Sequence, residues 1–153
     1  VFSTLHTNDA ISGVTRLVDM GVEPFLIAAA VRAFLAQRLV RRLCTSCREP
    51  AAYTAEYLRS IGFPPEMNDR IYQPRAGGCE SCGSTGYRGR TAIYELFRIT
   101  DSMQEAITRG ASRKDLLKLA GDEGFLSMRD YGWRKVLEGT TSVEEVVSAT
   151  ESG

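Results

Sequence analysis

Four cysteines in two pairs constrain this sequence more than any other feature. Cys44 and Cys47 form one Cys-x-x-Cys motif, Cys79 and Cys82 form a second, and there is no fifth cysteine. Each motif can turn two thiolates toward one point, and two such motifs supply the tetrahedral, all-sulfur ligand set that a structural zinc ion prefers. The pattern predicts a zinc site that closes residues 48–78 into a loop.

Other uses of the cysteines fit the pattern less well. Two disulfides would suit a secreted protein, but no signal peptide opens the chain, so we expect a reducing compartment. A thioredoxin-like redox pair needs only one motif, placed between a strand and a helix. Buried thiols without a metal would not need two matched pairs.

Charge and hydropathy exclude further classes. The 153 residues carry 19 Lys and Arg against 19 Asp and Glu, whereas a protein that binds duplex nucleic acid usually has a basic surplus. The longest apolar run, residues 25–36, is interrupted by Arg32 and is shorter than the roughly 20 residues needed to span a bilayer. The first residue is Val1 rather than Met, so we expect a piece of a longer protein.

The first third of the chain predicts a strand and two helices. Residues 1–5 have the composition of a strand, and polar residues 6–9 can cap a helix with its apolar stripe at Ile11, Val14 and Leu17. A second helix is predicted from Phe25 to about Gln37, apolar on nearly every face and hence buried. Residues 37–43 indicate either a short strand or a helix end.

The middle of the chain is less regular. Residues 54–61 could form one short helix, and residues 48–78 offer no core of their own, so we expect this insertion to need the metal to fold. Residues 89–99 alternate as a strand, with Ile93, Glu95 and Phe97 on one face. Two strands therefore enclose the metal-bound excursion.

The remaining residues predict four short helices. Each begins at a pair with capping spacing. The pairs are Asp101 with Gln104, Ser112 with Asp115, Ser127 with Asp130, and Thr141 with Glu144.

Little in the chain can carry catalysis. The only histidine is His6; from its position alone it is a surface or capping residue, although a strand running into residues 5–8 could also present an imidazole and helix amides to a phosphate. There is no G-x-x-x-x-G-K-[ST] phosphate loop and no Ser/His/Asp set. By itself, the chain is not expected to be an enzyme.

Taken in order, several segments resemble one family. They are FSTLHTN at residues 2–8, QRLVR at 37–41, LCTSC at 43–47, GCESC at 78–82, GYRGR at 86–90 and GTTSVEEV at 139–146. This series is similar to the C-terminal part of bacterial type II secretion and type IV pilus assembly ATPases, over the whole chain. One departure is Ser84, where related sequences often have glycine.

The resemblance implies a fold and a function. The fold is mixed α/β and helix-rich: the C-terminal portion of a RecA-like NTPase domain, an inserted tetracysteine zinc subdomain and a C-terminal helical bundle. The implied boundaries are residues 1–43, 44–89 and 90–153. The implied function is that of a hexameric motor that hydrolyses ATP, with Mg²⁺, to power pseudopilus or pilus assembly; the fragment lacks the Walker A and B segments and should be inactive alone.

The resemblance also assigns residues and partners. His6 falls in the family's histidine box and takes a catalytic role near the terminal phosphate, Arg38 falls near the nucleotide, and the four cysteines bind structural zinc, which pilus retraction ATPases lack. The expected partners are other copies in a homohexamer and the inner-membrane platform and cytoplasmic-domain proteins of the machine. The expected location is cytoplasmic and peripheral to the inner membrane, without nucleic acid.

Two further hypotheses remain open at this point. One is a stand-alone structural zinc module that binds a protein or nucleic acid, since residues 82–86 also resemble the cysteine-rich region of Hsp40-type chaperones. The other concerns arginines near the cysteines, which could form a docking surface for an acidic partner or a membrane, or simply a solvated face. These arginines are Arg41, Arg42, Arg48, Arg88 and Arg90.

Overall fold

The computed structural model describes residues 1–64 and 71–151. Seven α-helices and four β-strands lie in these ranges, together with a 3₁₀ turn at Glu80–Cys82. In chain order they are α1 (Ser12–Asp19), α2 (Pro24–Ala30), β1 (Ala33–Leu43), β2 (Glu49–Pro50), α3 (Ala55–Ser60), β3 (Tyr72–Gln73), β4 (Tyr87–Arg98), α4 (Asp101–Thr108), α5 (Arg113–Asp122), α6 (Met128–Leu137) and α7 (Val143–Thr150). The predicted mixed α/β, helix-rich class is confirmed.

The chain divides into two compact units that alternate along the sequence. Unit 1 contains residues 1–37 and 94–127, and unit 2 contains residues 38–93 and 128–151. Strands β1 and β4 pair in a two-stranded sheet, and β2 pairs antiparallel with β3. The predicted arrangement of two strands around an excursion is therefore confirmed, while the predicted domain boundaries after residues 43 and 89 stay predictions.

Unit 1 has its own apolar core. Strand β4 contributes Phe97, which is fully buried, and α4 contributes Met103. The other buried members come from α1, α2, α4 and α5 and from residues beside these helices and β4: Ala10, Ile11, Val14, Ile27, Ala28, Ile99, Ala106, Ile107, Leu116 and Ala120. The predicted alternation along β4 is confirmed, since Ile93, Glu95 and Phe97 are all buried.

Unit 2 has a second core, built around the single tryptophan. Trp133 of α6 is 1% exposed and meets the Phe63 ring edge to face at 5.2 Å between centroids. Leu58 and Ile71 pack into the same cluster with Val136, Val143 and Val146. Residues 48–78 were expected to have no core of their own, and the apolar side chains named above pack instead against α6 and α7, which lie far away in the sequence.

Two element predictions in the first third need correction. Residues 1–5 form no strand, because a strand needs a neighbouring backbone to satisfy its N–H and C=O groups and the described residues provide none here. The second helix ends at Ala30 rather than Gln37, because Val31 turns to an extended conformation and the following residues join β1. Phe25 and Leu26 are also about half exposed, at 56% and 48%.

The helix starts are close to prediction. The side chain of Ser112 accepts from the Asp115 N–H in a full capping box, as expected. Two further predicted helices have their cap one residue from the predicted position: Thr100 caps α4 and Ser142 caps α7. A short helix, α3, is confirmed and is capped by Thr54.

Among the described residues, no helix has the length and apolar character to cross a bilayer.

Candidate metal centre and the His6 region

Two tight turns present the four cysteines. After β1 ends at Leu43, the N–H groups of Cys47 and Arg48 both donate to the Cys44 carbonyl, at 3.2 and 2.8 Å. In the second pair, Cys79 precedes the 3₁₀ turn and Cys82 is its last residue, and Cys82 N–H donates to the Cys79 carbonyl at 3.2 Å.

The sulfur atoms have the spacing of a tetrahedral site. All four Sγ atoms lie within 4.8 Å of one another. The Sγ–Sγ distances are 3.8 Å for Cys44 to Cys79, 3.9 Å for Cys47 to Cys82 and 3.7 Å for Cys79 to Cys82. A tetrahedral zinc ion with Zn–S bonds of about 2.3 Å holds its sulfurs about 3.8 Å apart. The sequence prediction that these four residues come together is confirmed, and their geometry is compatible with structural zinc.

Backbone N–H groups favour negative charge on one of these sulfurs. The amides of Cys79 and Gly86 each donate to Cys82 Sγ at 3.2 Å. These hydrogen bonds, and the one from Cys79 most of all, lower the pKa of the Cys82 thiol to about 6, although burial acts to raise it. Burial instead raises the pKa of the Cys47 thiol to about 12. A bound cation would favour the thiolate form of both cysteines.

The turn after the second knuckle depends on left-handed residues. At Gly78 a Cβ atom would come within 2.5 Å of the Ser84 backbone, so this position accepts only glycine. Ser84 is the one non-glycine residue described with positive φ, at 63°. Left-handed backbone strongly favours glycine, so a glycine would adopt this turn with less strain than Ser84.

The residues beside the first knuckle are attached to the start of α7. Leu43 N–H donates to the Thr140 carbonyl at 2.9 Å, and Thr141 Oγ1 donates to the Arg41 carbonyl at 2.7 Å. Arg48 donates to the Gly139 carbonyl. These bonds hold residues 139–141, just before α7, against the strand that leads into the metal centre.

The five arginines near the cysteines fall into two groups, those with contacts inside the protein and those that are only exposed. Arg41 binds Glu145 and lies 4.0 Å from the centroid of the Tyr87 ring, and Arg48 lies 4.5 Å from that of Tyr72. Arg42, Arg88 and Arg90 are exposed. Docking of an acidic partner stays a prediction for these three arginines, whereas Arg41 and Arg48 have internal structural roles.

His6 lies in unit 1, away from regular structure. It is exposed and lines a cavity of about 370 Å³ together with Ser12, Arg16 and Arg113. The polar residues after it anchor α1 as expected, since Asp9 accepts bonds from both the N–H and the Oγ of Ser12 at 2.8 Å. Arg38 is half-buried on β1, in unit 2. The roles predicted for His6 and Arg38 stay predictions.

Sequence reasoning missed two residues of the His6 region. Glu95 is 7% exposed, and its carboxylate accepts the Ala10 N–H at 2.7 Å. Arg113 of α5 donates to Asp9 at 3.0 Å. A carboxylate on the buried face of β4 was the available signal for Glu95, while Arg113 gave none, because its partner lies 104 residues earlier.

Comparison with known proteins gives a consistent result. Residues 1–148 match the model of a family described as "Type II/IV secretion system protein". A type IV pilus assembly ATPase, PilB, of Myxococcus xanthus is 45% identical over 151 residues, covering 98% of this chain and 27% of its own length.

Two type II secretion proteins are equally similar. Type II secretion system protein E of Pseudomonas aeruginosa is 47% identical over 150 residues, covering 98% of this chain and 29% of its own length. Type II secretion system ATPase E of Vibrio cholerae is 45% identical over 151 residues, covering 99% of this chain and 29% of its own length. The chain thus spans less than a third of the length of these relatives. With a family match over nearly its whole length, this chain belongs to the type II/IV secretion system protein family.

Proposed function

We propose that this chain is the C-terminal part of a hexameric, ATP-hydrolysing motor that powers assembly of a type II secretion pseudopilus or a type IV pilus. The observation that carries the proposal is the identity of 45–47% to relatives named type IV pilus assembly ATPase and type II secretion system protein E. In this proposal residues 1–43 complete a RecA-like core whose phosphate loop lies in the longer protein. The partners are other copies of the motor and the platform and cytoplasmic-domain proteins at the inner membrane.

Within this proposal the two candidate sites have different roles. The four cysteines hold a structural zinc ion, supported by their all-sulfur set and their spacing near that of tetrahedral zinc. His6 acts near the terminal phosphate of ATP and is supported by its exposure on a polar cavity that also contains Arg113. Arg38 contacts the nucleotide region. The zinc is structural because protein ligands fill all four positions and leave none for water.

ATP hydrolysis tests the proposal. A longer family protein that contains this chain should hydrolyse ATP with Mg²⁺, and His6→Ala should lower its turnover with the fold retained. His6→Ala turnover equal to that of the unchanged protein would remove His6 from the mechanism. The 153-residue chain alone should show no appreciable hydrolysis, because its sequence has no phosphate loop, and clear hydrolysis by the pure chain would contradict this.

A second function is favoured by one observation. Arg42, Arg88 and Arg90 remain exposed beside the metal centre, as a zinc module that binds an acidic protein would require. A longer protein without ATPase activity, but with zinc and a stable acidic partner, would favour this alternative.

A further inference from the structure

The segment that carries His6 is fixed at two points immediately after it. Residues 1–4 are exposed, and the chain up to Asn8 has no regular secondary structure. Asp9 and Ala10 are the first residues in this region that bond to distant elements. The position of His6 therefore depends on how these two residues are held.

The first anchor is buried and belongs to the core. Ala10 is 2% exposed, and its N–H donates to the Glu95 carboxylate at 2.7 Å. Since a buried N–H needs an acceptor, this bond fixes the backbone at residue 10. The bond from Ala10 to Glu95 is therefore needed for folding as well as for the position of residue 10.

The second anchor, at Asp9, is partly exposed. The Asp9 carboxylate accepts from Ser12 through both oxygens and, through Oδ2, from Arg113 Nη2 at 3.0 Å. Burial acts to raise the pKa of Asp9, but the bonds from Ser12 and the charge of Arg113 outweigh it, and the pKa is lowered. Asp9 therefore stays ionised and keeps its bond to α5.

His6 and Arg113 also line the same cavity. The Arg113 guanidinium, on α5, thus contacts Asp9, which lies three residues after His6 in the same polar segment. We propose that Arg113 is a positioning residue for His6 and that it acts through Asp9. The catalytic consequence rests on the proposed function, whereas the placement of the imidazole does not.

The single histidine allows a direct test. The Hε1 proton of His6 gives one identifiable NMR signal in the zinc-loaded 153-residue chain, because there is no other imidazole. Arg113→Gln should move this signal and the amide signals of residues 6–9 toward the positions and narrow line widths of an unfolded peptide. The amide signals of α4 and the rest of α5 should keep their positions.

Two further variants separate positioning from general loss of charge. Arg113→Lys should restore the His6 signal in large part, because the ion pair uses one donor nitrogen. Arg109→Gln removes an exposed arginine that makes no ion pair with the described residues, and it should leave the His6 signal unchanged. An unmoved His6 signal in Arg113→Gln, or an equal effect of Arg109→Gln, would overturn the proposal.

Activity then separates this inference from the proposed function. In a longer family protein with these residues, Arg113→Gln should lower kcat by roughly tenfold or more, as expected for a misplaced catalytic group, with little change in KM for ATP. An altered His6 signal with unchanged kcat would leave the positioning role intact and would count against the catalytic role of His6. An unaltered signal would count against the positioning role whatever the activity.

Discussion

Arg41 and Glu145, 104 residues apart, form a three-point contact that joins β1 to α7. The Arg41 guanidinium donates to Glu145 Oε1 at 2.7 and 2.9 Å, and the Arg41 backbone N–H donates to Oε2 at 2.8 Å. The Tyr87 ring lies beneath the same guanidinium, and its hydroxyl is hydrogen-bonded to Ser142 at 3.0 Å. The strands that flank the metal centre are thereby attached to the first turn of α7.

A double-mutant cycle should detect this attachment as a coupling free energy. Arg41→Ala and Glu145→Ala, made singly and together in the zinc-loaded chain, should be non-additive in the free energy of unfolding by about 0.5–1 kcal/mol, a value near the upper end for exposed pairs. Urea unfolding at constant free zinc measures it. Arg42→Ala combined with Glu145→Ala is the matched control and should be additive. Additivity in the Arg41 cycle would show that the contact contributes nothing.

Two helical glycines should respond in opposite directions to alanine. A Cβ at Gly132 in α6 would lie 2.5 Å from Val146 Cγ1 of α7, so Gly132→Ala should destabilise the chain by about 1–3 kcal/mol through overpacking. Gly121 in α5 faces open space, so Gly121→Ala should stabilise by up to about 1 kcal/mol through helix propensity. Thermal unfolding of both variants checks the pair, and equal effects would contradict the close α6–α7 packing.

The core shared by the insertion, α6 and α7 predicts a large effect at Phe63, a residue that lies outside the helices and strands. Phe63 is 2% exposed against Trp133, so Phe63→Ala should cost about 3–5 kcal/mol. Tyr57→Ala, at a residue that is 39% exposed, is the control and should cost much less. The emission of Trp133 reports unfolding directly. Similar losses for the two variants would mean that residues 48–78 do not share this core.

The ionised state of Asp9 predicts a pH-dependent effect. Because its folded-state pKa is lowered, the carboxylate stabilises the fold above its unfolded pKa of about 3.9, and that contribution is lost as the pH falls through the folded value. Asp9→Asn should therefore destabilise the chain by about 1 kcal/mol at pH 7. The difference from the unchanged chain should shrink as the pH is lowered from 7 to 3. Unfolding curves at the two pH values test this, and a difference independent of pH would refute it.

Local patterns were sufficient for most of the elements. The alternation of Ile93, Glu95 and Phe97 predicts β4 and its buried face, and the capping pair Ser112 and Asp115 predicts the start of α5. Cysteine spacing predicted that the four sulfur atoms come together, because they lie on two local turns whose geometry is set by short-range bonds.

Contacts between residues far apart in the sequence could not be predicted from local patterns. The apolar run at residues 25–36 has no period that separates a helix from a strand, and pairing with β4 decided its second half. The burial of Leu58, Phe63 and Ile71 depends on α6 and α7 and therefore has no local signal. For the same reason the ion pair of Arg113 could not be predicted, because its partner Asp9 is identified only by the fold.

Metal analysis of the purified chain tests the central structural claim, that Cys44, Cys47, Cys79 and Cys82 hold a zinc ion. We expect about one zinc per chain, four thiols that do not react with a disulfide reagent until a chelator is added, and loss of ordered Trp133 emission when the zinc is removed. A chain that purifies without metal, has freely reactive thiols and keeps its Trp133 emission would contradict it.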